Sequence, residues 1–136
     1  MLILRYILFL TLVLRVSAQE MMIREVFDPV TDTHVEVLAL FSKPSTGGFF
    51  PVRVKIANNL KSDRRIHLDF ESTSNQGGKI RSSSSFTFDS PGGKTMVRDI
   101  IIPVCPPSGH YGGVNVGVTL SGSMGMANNT IRSLLD

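Results

Sequence analysis

The side chains that could carry out chemistry are few and lie far apart in the sequence. His34, His67 and His110 are separated by 33 and 43 residues, and Asp69 follows His67 by two positions. Because a zinc site needs three or four converging ligands, this spacing predicts ordinary surface or loop histidines and no metal centre. The motifs Gly-x-Ser-x-Gly, His-Glu-x-x-His and Cys-x-x-Cys do not occur. We therefore expect a chain that is not an enzyme and needs no cofactor.

The remaining candidate groups favour structural interpretations. Cys105 is the only cysteine, so no intrachain disulfide can form, and we expect a buried inert thiol or a semi-exposed structural one. Asp28 and Asp32 lack calcium-loop spacing and are typical of turns. The run Ser82–Ser85 is interpreted as the solvated entry to a strand. The triplet Asn128–Thr130 is a lone glycosylation sequon, meaningful only in a eukaryote.

The first 18 residues have the pattern of a signal peptide. Arg5 lies close to the amino terminus, Tyr6–Leu14 is an apolar run of nine residues, and residues 16–18 (Val-Ser-Ala) have the small-x-small form of a signal-peptidase site. Since a membrane span needs about 20 apolar residues, this run predicts a cleaved leader, with Gln19 first in the mature chain. The alternative is an uncleaved N-terminal anchor. We expect an exported protein, periplasmic or extracellular, with no membrane span after cleavage.

The charge balance is nearly neutral once the leader is set aside. Of 14 Lys and Arg residues, Arg5 and Arg15 lie in the leader, so 12 basic side chains accompany 11 acidic ones in the remaining 118 residues. They form no stripe that would follow a phosphate backbone, so we expect no nucleic-acid partner. A chain of this length suits one domain. We place a lead-in at 19–33, the folded domain at 34–122, and a C-terminal tail or the start of a linker at 123–136.

The clearest strand pattern lies between a Gly-Gly pair and an Asn-Asn pair. Apolar and cationic residues alternate there from Val52 to Ile56, which is the period of a strand with one buried and one solvated face. We expect Val52, Val54 and Ile56 to point into a core. Arg53 and Lys55 then lie on the outer face.

Other segments alternate in the same way and predict partners for this strand. In Ile66–Glu71 the apolar residues face inward, and we expect Asp69 and Glu71 on the outer face to pair with Arg53 and Lys55 across neighbouring strands. A short first strand along an edge is expected within the lead-in. The other predicted strands are 34–41, 49–59, 66–71, 86–88, 95–104 and 114–120.

The whole pattern predicts an all-β fold. No window of 12 or more residues after the leader has a helical period, and turn signals recur every 8–15 residues. Six or seven short strands with such spacing are typical of an antiparallel two-sheet immunoglobulin-like sandwich. A small closed barrel, which gives similar periodicity, is the alternative.

Several stretches resemble a known kind of domain. Gly48–Asn58 is similar to the opening of immunoglobulin-like domains found near the N-termini of large bacterial exported or cell-envelope proteins, which have a Gly-aromatic-x-Pro-Val-x-Val start and a strand ending in Asn. The turn Ser90–Thr95 before Val97–Val104, and the strand Val114–Gly122, also resemble that pattern. The similarity covers residues 34–122. It implies an accessory or interaction module without catalytic residues to carry over.

Our leading hypothesis is a non-enzymatic exported β-sandwich that acts as a binding or spacer module at the cell envelope. Its partner would be a protein or a glycan. The chain either acts alone, with Asp136 as its natural end, or is the front domain of a larger protein. The loop Pro106–Gly113 is the expected interaction site, through His110 and Tyr111, because loops at the end of a sandwich carry recognition more often than sheet faces do.

Two alternatives belong to other classes of function. A carbohydrate-binding module would use exposed aromatic side chains, for which the chain offers Tyr111, Phe49 and Phe50 but no Trp. A small exported hydrolase would need a catalytic group without a short motif, such as a carboxylate pair. The first residues to mutate for that activity are His67, Asp69 and His110.

Overall fold

A computed structural model describes residues 20–41, 48–74, 81–105, 114–122 and 127–131. Every regular element in these ranges is a β-strand. The strands are β1 (Glu20–Asp28), β2 (Thr33–Ala39), β3 (Phe49–Asn58), β4 (Arg64–Ser74), β5 (Arg81–Ser90), β6 (Lys94–Pro103), β7 (Val114–Gly122) and β8 (Ala127–Ile131).

The strands form two antiparallel four-stranded sheets. The first sheet has the order β1-β2-β3-β6, and the second has the order β5-β4-β7-β8. Consecutive strands pair within a sheet from β1 to β3, from β4 to β5 and from β7 to β8, and the chain changes sheet after β3, β5 and β6. The predicted all-β fold of two antiparallel sheets is therefore confirmed.

Seven of the strands correspond to predicted segments. The first strand, β1, lies in the segment assigned to the lead-in and forms one edge of the first sheet. The run Ser82–Ser85 lies inside β5 itself. The eighth strand, β8, lies in the segment assigned to a tail and pairs with β7, with Ile131 opposite Val116. Its sequence, Ala-Asn-Asn-Thr-Ile, lacks the alternation that would have predicted it.

The core lies between the two sheets and includes the predicted inward-facing residues, together with buried side chains from β1, β2 and β6. Phe70 and Phe86 add an edge-to-face contact within the second sheet, with ring centroids 5.9 Å apart. The inward positions predicted for β3 and β4, and those on β7 whose side chains the structure describes, are confirmed. The buried side chains among them are Val52, Val54 and Ile56 on β3, Ile66, Leu68 and Phe70 on β4, and Val116, Val118 and Leu120 on β7.

The predicted partners of Arg53 and Lys55 were wrong. Both residues lie on the outer face, but β3 and β4 belong to different sheets, so Asp69 and Glu71 lie on the opposite outer face. Arg53 instead donates two hydrogen bonds to Asp99 on β6, at 2.7 and 2.8 Å. Alternation predicts the face on which a side chain lies, but it does not predict which strand lies beside it.

Different strands begin and end at the two ends of the sandwich. We call the end where β1 begins the proximal end. Glu20 there lies opposite Ala39, and Ala39 lies opposite Val52, so β2 ends and β3 begins at this end. Phe49 lies opposite Pro103, so β6 also ends there. The other end, with the turn between β1 and β2, is the distal end.

A buried asparagine holds the distal end together. The Asn58 amide donates to the carbonyls of Ser62 and Ser90, at 3.0 and 2.9 Å. Its side-chain oxygen accepts a hydrogen bond from the Leu60 backbone at 3.2 Å. The asparagine thus satisfies backbone groups where the chain leaves β3 and where β5 ends, and the predicted turn after β3 is confirmed.

Candidate functional site

The predicted interaction loop, residues 106–113, lies outside the described residues. Its two named side chains, His110 and Tyr111, therefore stay predictions. The preceding strand, β6, ends at the proximal end of the sandwich, so the chain enters this loop from that end.

His67 and Asp69 both form hydrogen bonds to β5. The His67 Nδ1 atom lies 2.9 Å from the Thr87 hydroxyl, and the Ser85 hydroxyl donates to the Asp69 carboxylate. Each side chain therefore forms a hydrogen bond with a residue of the neighbouring strand. The structure describes no hydrogen bond between His67 and Asp69. Among the described residues, no group of three or more His, Cys, Asp or Glu side chains could hold a metal ion.

His34 was wrongly predicted as a surface or loop histidine. It is buried on β2, which lies between β1 and β3 and so has neighbours on both sides. Its Nδ1 donates to the Asp32 carbonyl at 2.8 Å, and its Nε2 lies 3.6 Å from a carboxylate oxygen of Glu36. The histidine therefore anchors the turn that precedes β2.

Cys105 is buried, which agrees with the first of the two predicted forms, the buried thiol. Its backbone N–H donates to the Ser72 hydroxyl oxygen at 2.9 Å, and its thiol donates to the Ser72 carbonyl at 3.3 Å. These bonds join the end of the first sheet to β4 of the second. The thiol thus lies in a structural contact.

Two aspartates form the turn between β1 and β2, as the sequence predicted. The Asp28 carboxylate accepts hydrogen bonds from the Thr31 hydroxyl at 2.8 Å and from the Val30 backbone at 3.0 Å. These bonds, that from Thr31 first, lower the pKa of Asp28 below its ordinary value of 3.8. Asp32 takes a left-handed conformation with φ of 54°. The interpretation of both aspartates as turn formers is confirmed.

Paired charges cover the middle of the outer face of the first sheet. Arg24 donates to the Glu36 carboxylate at 3.0 Å, and the Lys55 ammonium lies 3.6 Å from the same carboxylate. The hydrogen bond from Arg53 lowers the pKa of Asp99, and Asp99 raises the pKa of Arg53. These pairs leave this part of the face with opposite charges side by side.

Apolar side chains cover the proximal part of the same face. Directly opposite residues in an antiparallel pair share a face, and the register places Phe49 opposite Pro103 and Pro51 opposite Ile101. We call this set, with the opposite pair on β1 and β2, the apolar strip. It reaches all four strands over about 14 Å at the usual strand spacing. Leu38 lies directly opposite Arg53, so the β1–β2 pair meets Pro51 only diagonally. The members of the strip are Met21, Leu38, Phe49, Pro51, Ile101 and Pro103.

The apolar strip is open to solvent. Ile101 is 64% exposed, Phe49 is 56% exposed and Met21 is 47% exposed. The outer face of a half-buried antiparallel sheet is normally polar, and a contiguous exposed apolar patch marks a surface that contacts another molecule. The apolar strip is therefore the candidate functional site among the described residues.

The sequence contained a signal for this site that the alternation analysis missed. Phe49–Val52 and Ile100–Pro103 are continuous apolar runs, and such runs are typical of strands covered on both faces. The sequence predicts a role for the Phe49 side chain only as an aromatic ring for glycan binding. Its partner in that prediction, Phe50, is fully buried in the core. Opposite exposure of the two side chains follows from the two-residue period of the strand.

A shallow polar depression lies at the distal end. Arg65 donates to the Asp89 carboxylate there at 2.7 Å, and this hydrogen bond lowers the pKa of Asp89. The lining therefore contains charges that already bind each other. The residues that line the depression are Asp63, Arg64, Arg65, Asp89, Ser90 and Pro91.

Comparison with known proteins gives no family for this chain. No family model matches the sequence, and no curated protein matches it. A solved structure with similarity is Spo0M, the sporulation control protein from Bacillus subtilis, at 14% identity and a TM-score of 0.41, covering 71% of this chain and 47% of that one. The chain thus spans about half the length of that structure. Among the described residues, the structure contains no helix that is long and apolar enough to cross a membrane.

Proposed function

We propose that this chain is a non-enzymatic, exported immunoglobulin-like domain that binds a partner at the cell envelope through the apolar strip. The observation that carries the proposal is the exposure of Phe49 and Ile101 on a sheet face. Burying each side chain in a contact would contribute on the order of 1–2 kcal/mol. A spacer without a binding surface would gain nothing from such exposure, which also makes the chain prone to aggregation.

The path of the chain supports the immunoglobulin-like assignment. From β3 the chain crosses to the second sheet, forms the β4–β5 pair, and returns so that β6 lies beside β3. This is a Greek-key connection, which is typical of immunoglobulin-like sandwiches. The similarity of Gly48–Asn58 to the openings of such domains in bacterial envelope proteins supports the same assignment.

The N-terminal segment supports export. The cation, the apolar run Tyr6–Leu14 and the small residues before Gln19 form the three parts of a secretory leader in the right order. The folded part is compatible with an oxidising exterior, because its one cysteine is buried and so protected from reaction. We place the mature chain in the periplasm or outside the cell.

The test is fractionation of a bacterial host that expresses the full chain. We expect a mature form that begins at Gln19, recovered with the envelope fraction. The double variant Phe49→Ser with Ile101→Ser should move to the soluble exported fraction. Mass spectrometry gives the N-terminus, and immunoblotting gives the distribution.

The matched control replaces two exposed valines that lie outside the strip. Val30 lies in the distal turn and Val97 lies beyond the paired charges on β6, and both are exposed. Val30→Ser with Val97→Ser removes the same number of exposed apolar side chains and should leave the distribution unchanged. Equal behaviour of the two double variants would contradict the binding role and leave only a spacer.

A carbohydrate-binding module is the second candidate, and Phe49 is the observation that favours it. Its side chain is exposed on a flat sheet face, where an aromatic ring can stack on a sugar. Under this alternative, the mature protein binds a glycan array and Phe49→Ala abolishes the signal. A blank array would count against it.

A further inference from the structure

The two sheets have four edge strands in the described part of the chain, and three of them are protected. The edge strands are β1, β5, β6 and β8. Strand β1 is interrupted by two register shifts, and its Glu25 lies opposite the buried Val35, so this charge is on the inner side of the sheet. Strand β6 has Arg98 in the equivalent position opposite Val54, and β8 has only five residues. Inward charges, irregular pairing and short length all prevent another strand from adding to an edge.

The edge formed by β5 has none of these protections. Its ten residues pair with β4 in an unbroken register, and within the described ranges β4 is its one neighbour in the sheet. Since every second residue of an edge strand directs its backbone N–H and C=O away from the sheet, β5 presents about 30 Å of hydrogen-bonding edge. The side chains on its inner side are uncharged, and they are those of Ser82, Ser84, Phe86, Phe88 and Ser90.

The sequence of β5 is complementary to itself in the antiparallel direction. Arg81 and Asp89 lie near its two ends, four residues on either side of Ser85, and all three are exposed on the outer face. An antiparallel pair of β5 strands centred on Ser85 therefore places Arg81 of each copy directly opposite Asp89 of the other. Ser83 of each copy then lies opposite Thr87. A shift of the centre by one residue in either direction separates Arg81 from Asp89, so the charges select this register.

The two charges can form these contacts, which we call the end pairs, while they keep their present partners. Arg65 donates to the Asp89 carboxylate at 2.7 Å, and the Arg81 guanidinium lies 3.5 Å from the Glu71 carboxylate. The side chains of Arg81 and Asp89 are still 68% and 72% exposed. Because a guanidinium has several N–H donors and a carboxylate has several acceptor sites, each end pair extends a row of alternating charges. The row runs from Glu71 and Arg81 of one copy to Asp89 and Arg65 of the other.

We infer that the β5 edge is a self-association surface, through which two copies of the chain pair β5 with β5 about a two-fold axis at Ser85. The second sheets of the two copies then form one continuous sheet. The axis is perpendicular to this sheet, so the apolar strips of both copies stay uncovered and face the same side. The inference goes beyond the proposed function and does not depend on it. An extended peptide of another protein is the competing occupant of the edge.

The test measures the mass of the protein, purified from cells that express the full chain, by light scattering after size-exclusion chromatography at several concentrations. Wild type should form a dimer. Arg81→Glu and Asp89→Lys each place like charges opposite one another at both end pairs, so each should weaken the dimer by at least about tenfold. An equimolar mixture of these two variants should form a heterodimer, because opposite charges then meet at both end pairs. Lys61→Glu reverses an exposed charge between β3 and β4, and this control should dimerise like wild type.

A single introduced cysteine tests the register. The natural Cys105 is buried, and Ser85→Cys adds a thiol that the two-fold axis places opposite itself, at a Cα distance that a disulfide can span. Mild oxidation should convert this variant to a covalent dimer. Thr87→Cys lies on the same face of the same strand, but about 13 Å along the strand from its copy, and it should not cross-link.

Three results would overturn the inference. A wild type that is monomeric at every concentration would leave the edge to a peptide of another protein. A dimer that persists in both charge variants, or one that cross-links equally through positions 85 and 87, would place the contact elsewhere. A mixture that stays monomeric, while each variant keeps the circular dichroism of wild type, would show that Arg81 and Asp89 do not meet across the interface.

Discussion

Phe49 and Phe50 are neighbours in the chain and have opposite roles. Phe50 is fully buried in the core, while Phe49 is more than half exposed on the outer face. Because a strand alternates its side chains, one residue contributes to stability and the next to the surface. Phe50 therefore acts in folding, and Phe49 lies where it can contact a partner.

We expect Phe50→Ala to lower the free energy of unfolding by about 3–5 kcal/mol, because it leaves a cavity in the core. Phe49→Ala should change it by less than about 0.5 kcal/mol, as for most surface substitutions. Urea unfolding of both variants measures the two effects. Similar losses in the two variants would contradict the assignment of their faces.

The ion pair between Arg53 and Asp99 predicts a dependence of stability on pH. The pKa of Asp99 is lowered in the folded chain by the hydrogen bond from Arg53, so the pair stabilises the fold above the ordinary carboxylate pKa of 3.8. That contribution is lost as the pH falls through the lower folded value. We expect wild type to lose more stability than Asp99→Asn between pH 7 and about pH 2, measured by urea unfolding.

Arg53→Gln is the companion variant for this prediction. It removes the donor instead of the acceptor and should reduce the acid dependence by a similar amount. A full wild-type dependence in either variant would show that the pair does not act on stability. Asp28 and Asp89, whose pKa values are also lowered, supply the dependence that remains.

At the scale of elements, β6 is an edge strand, and a charged side chain protects its open edge. It pairs with β3 on one side only within the described residues. Arg98 lies opposite Val54, whose side chain is in the core, so Arg98 points to the inner side of the sheet at its open edge. Its guanidinium donates to the Val97 carbonyl at 3.0 Å. Inward-pointing charges of this kind prevent strands from adding to an edge.

We expect Arg98→Val to make the chain self-associate through β6, because the edge is then apolar and open. Light scattering after size-exclusion chromatography should show a larger mass than wild type at the same concentration. Thr95→Val is the matched control, since it adds a β-branched apolar residue on the outer side and leaves the charge in place. Association of the control to the same extent would contradict the guarding role.

The sequence predicted which face of a strand each side chain occupies better than it predicted which strands lie side by side. Alternation identified Val52, Val54 and Ile56 as core residues, because burial imposes a period of two. It assigned Arg53 a partner on β4, since nothing local records that the chain changes sheet after β3. The last strand, β8, was missed because pairing with β7 defines it more than its own composition does.

At the scale of the whole molecule, the site is assembled from distant segments. The apolar strip takes side chains from β1, β2, β3 and β6, and its members run from Met21 to Pro103 in the sequence. Each segment alone contributes only one or two side chains to the strip. Their placement on one outer face depends on the order of the strands, so the sequence alone could not define the site.

The measurement that tests the binding role of the strip most directly is site-specific photo-crosslinking in the exporting cell. A photoreactive phenylalanine analogue replaces Phe49 in one variant and Val30, in the distal turn, in the other. We expect strong adducts from position 49 and few from position 30. Equal or absent adducts at position 49 would contradict the assignment of the apolar strip as the binding surface.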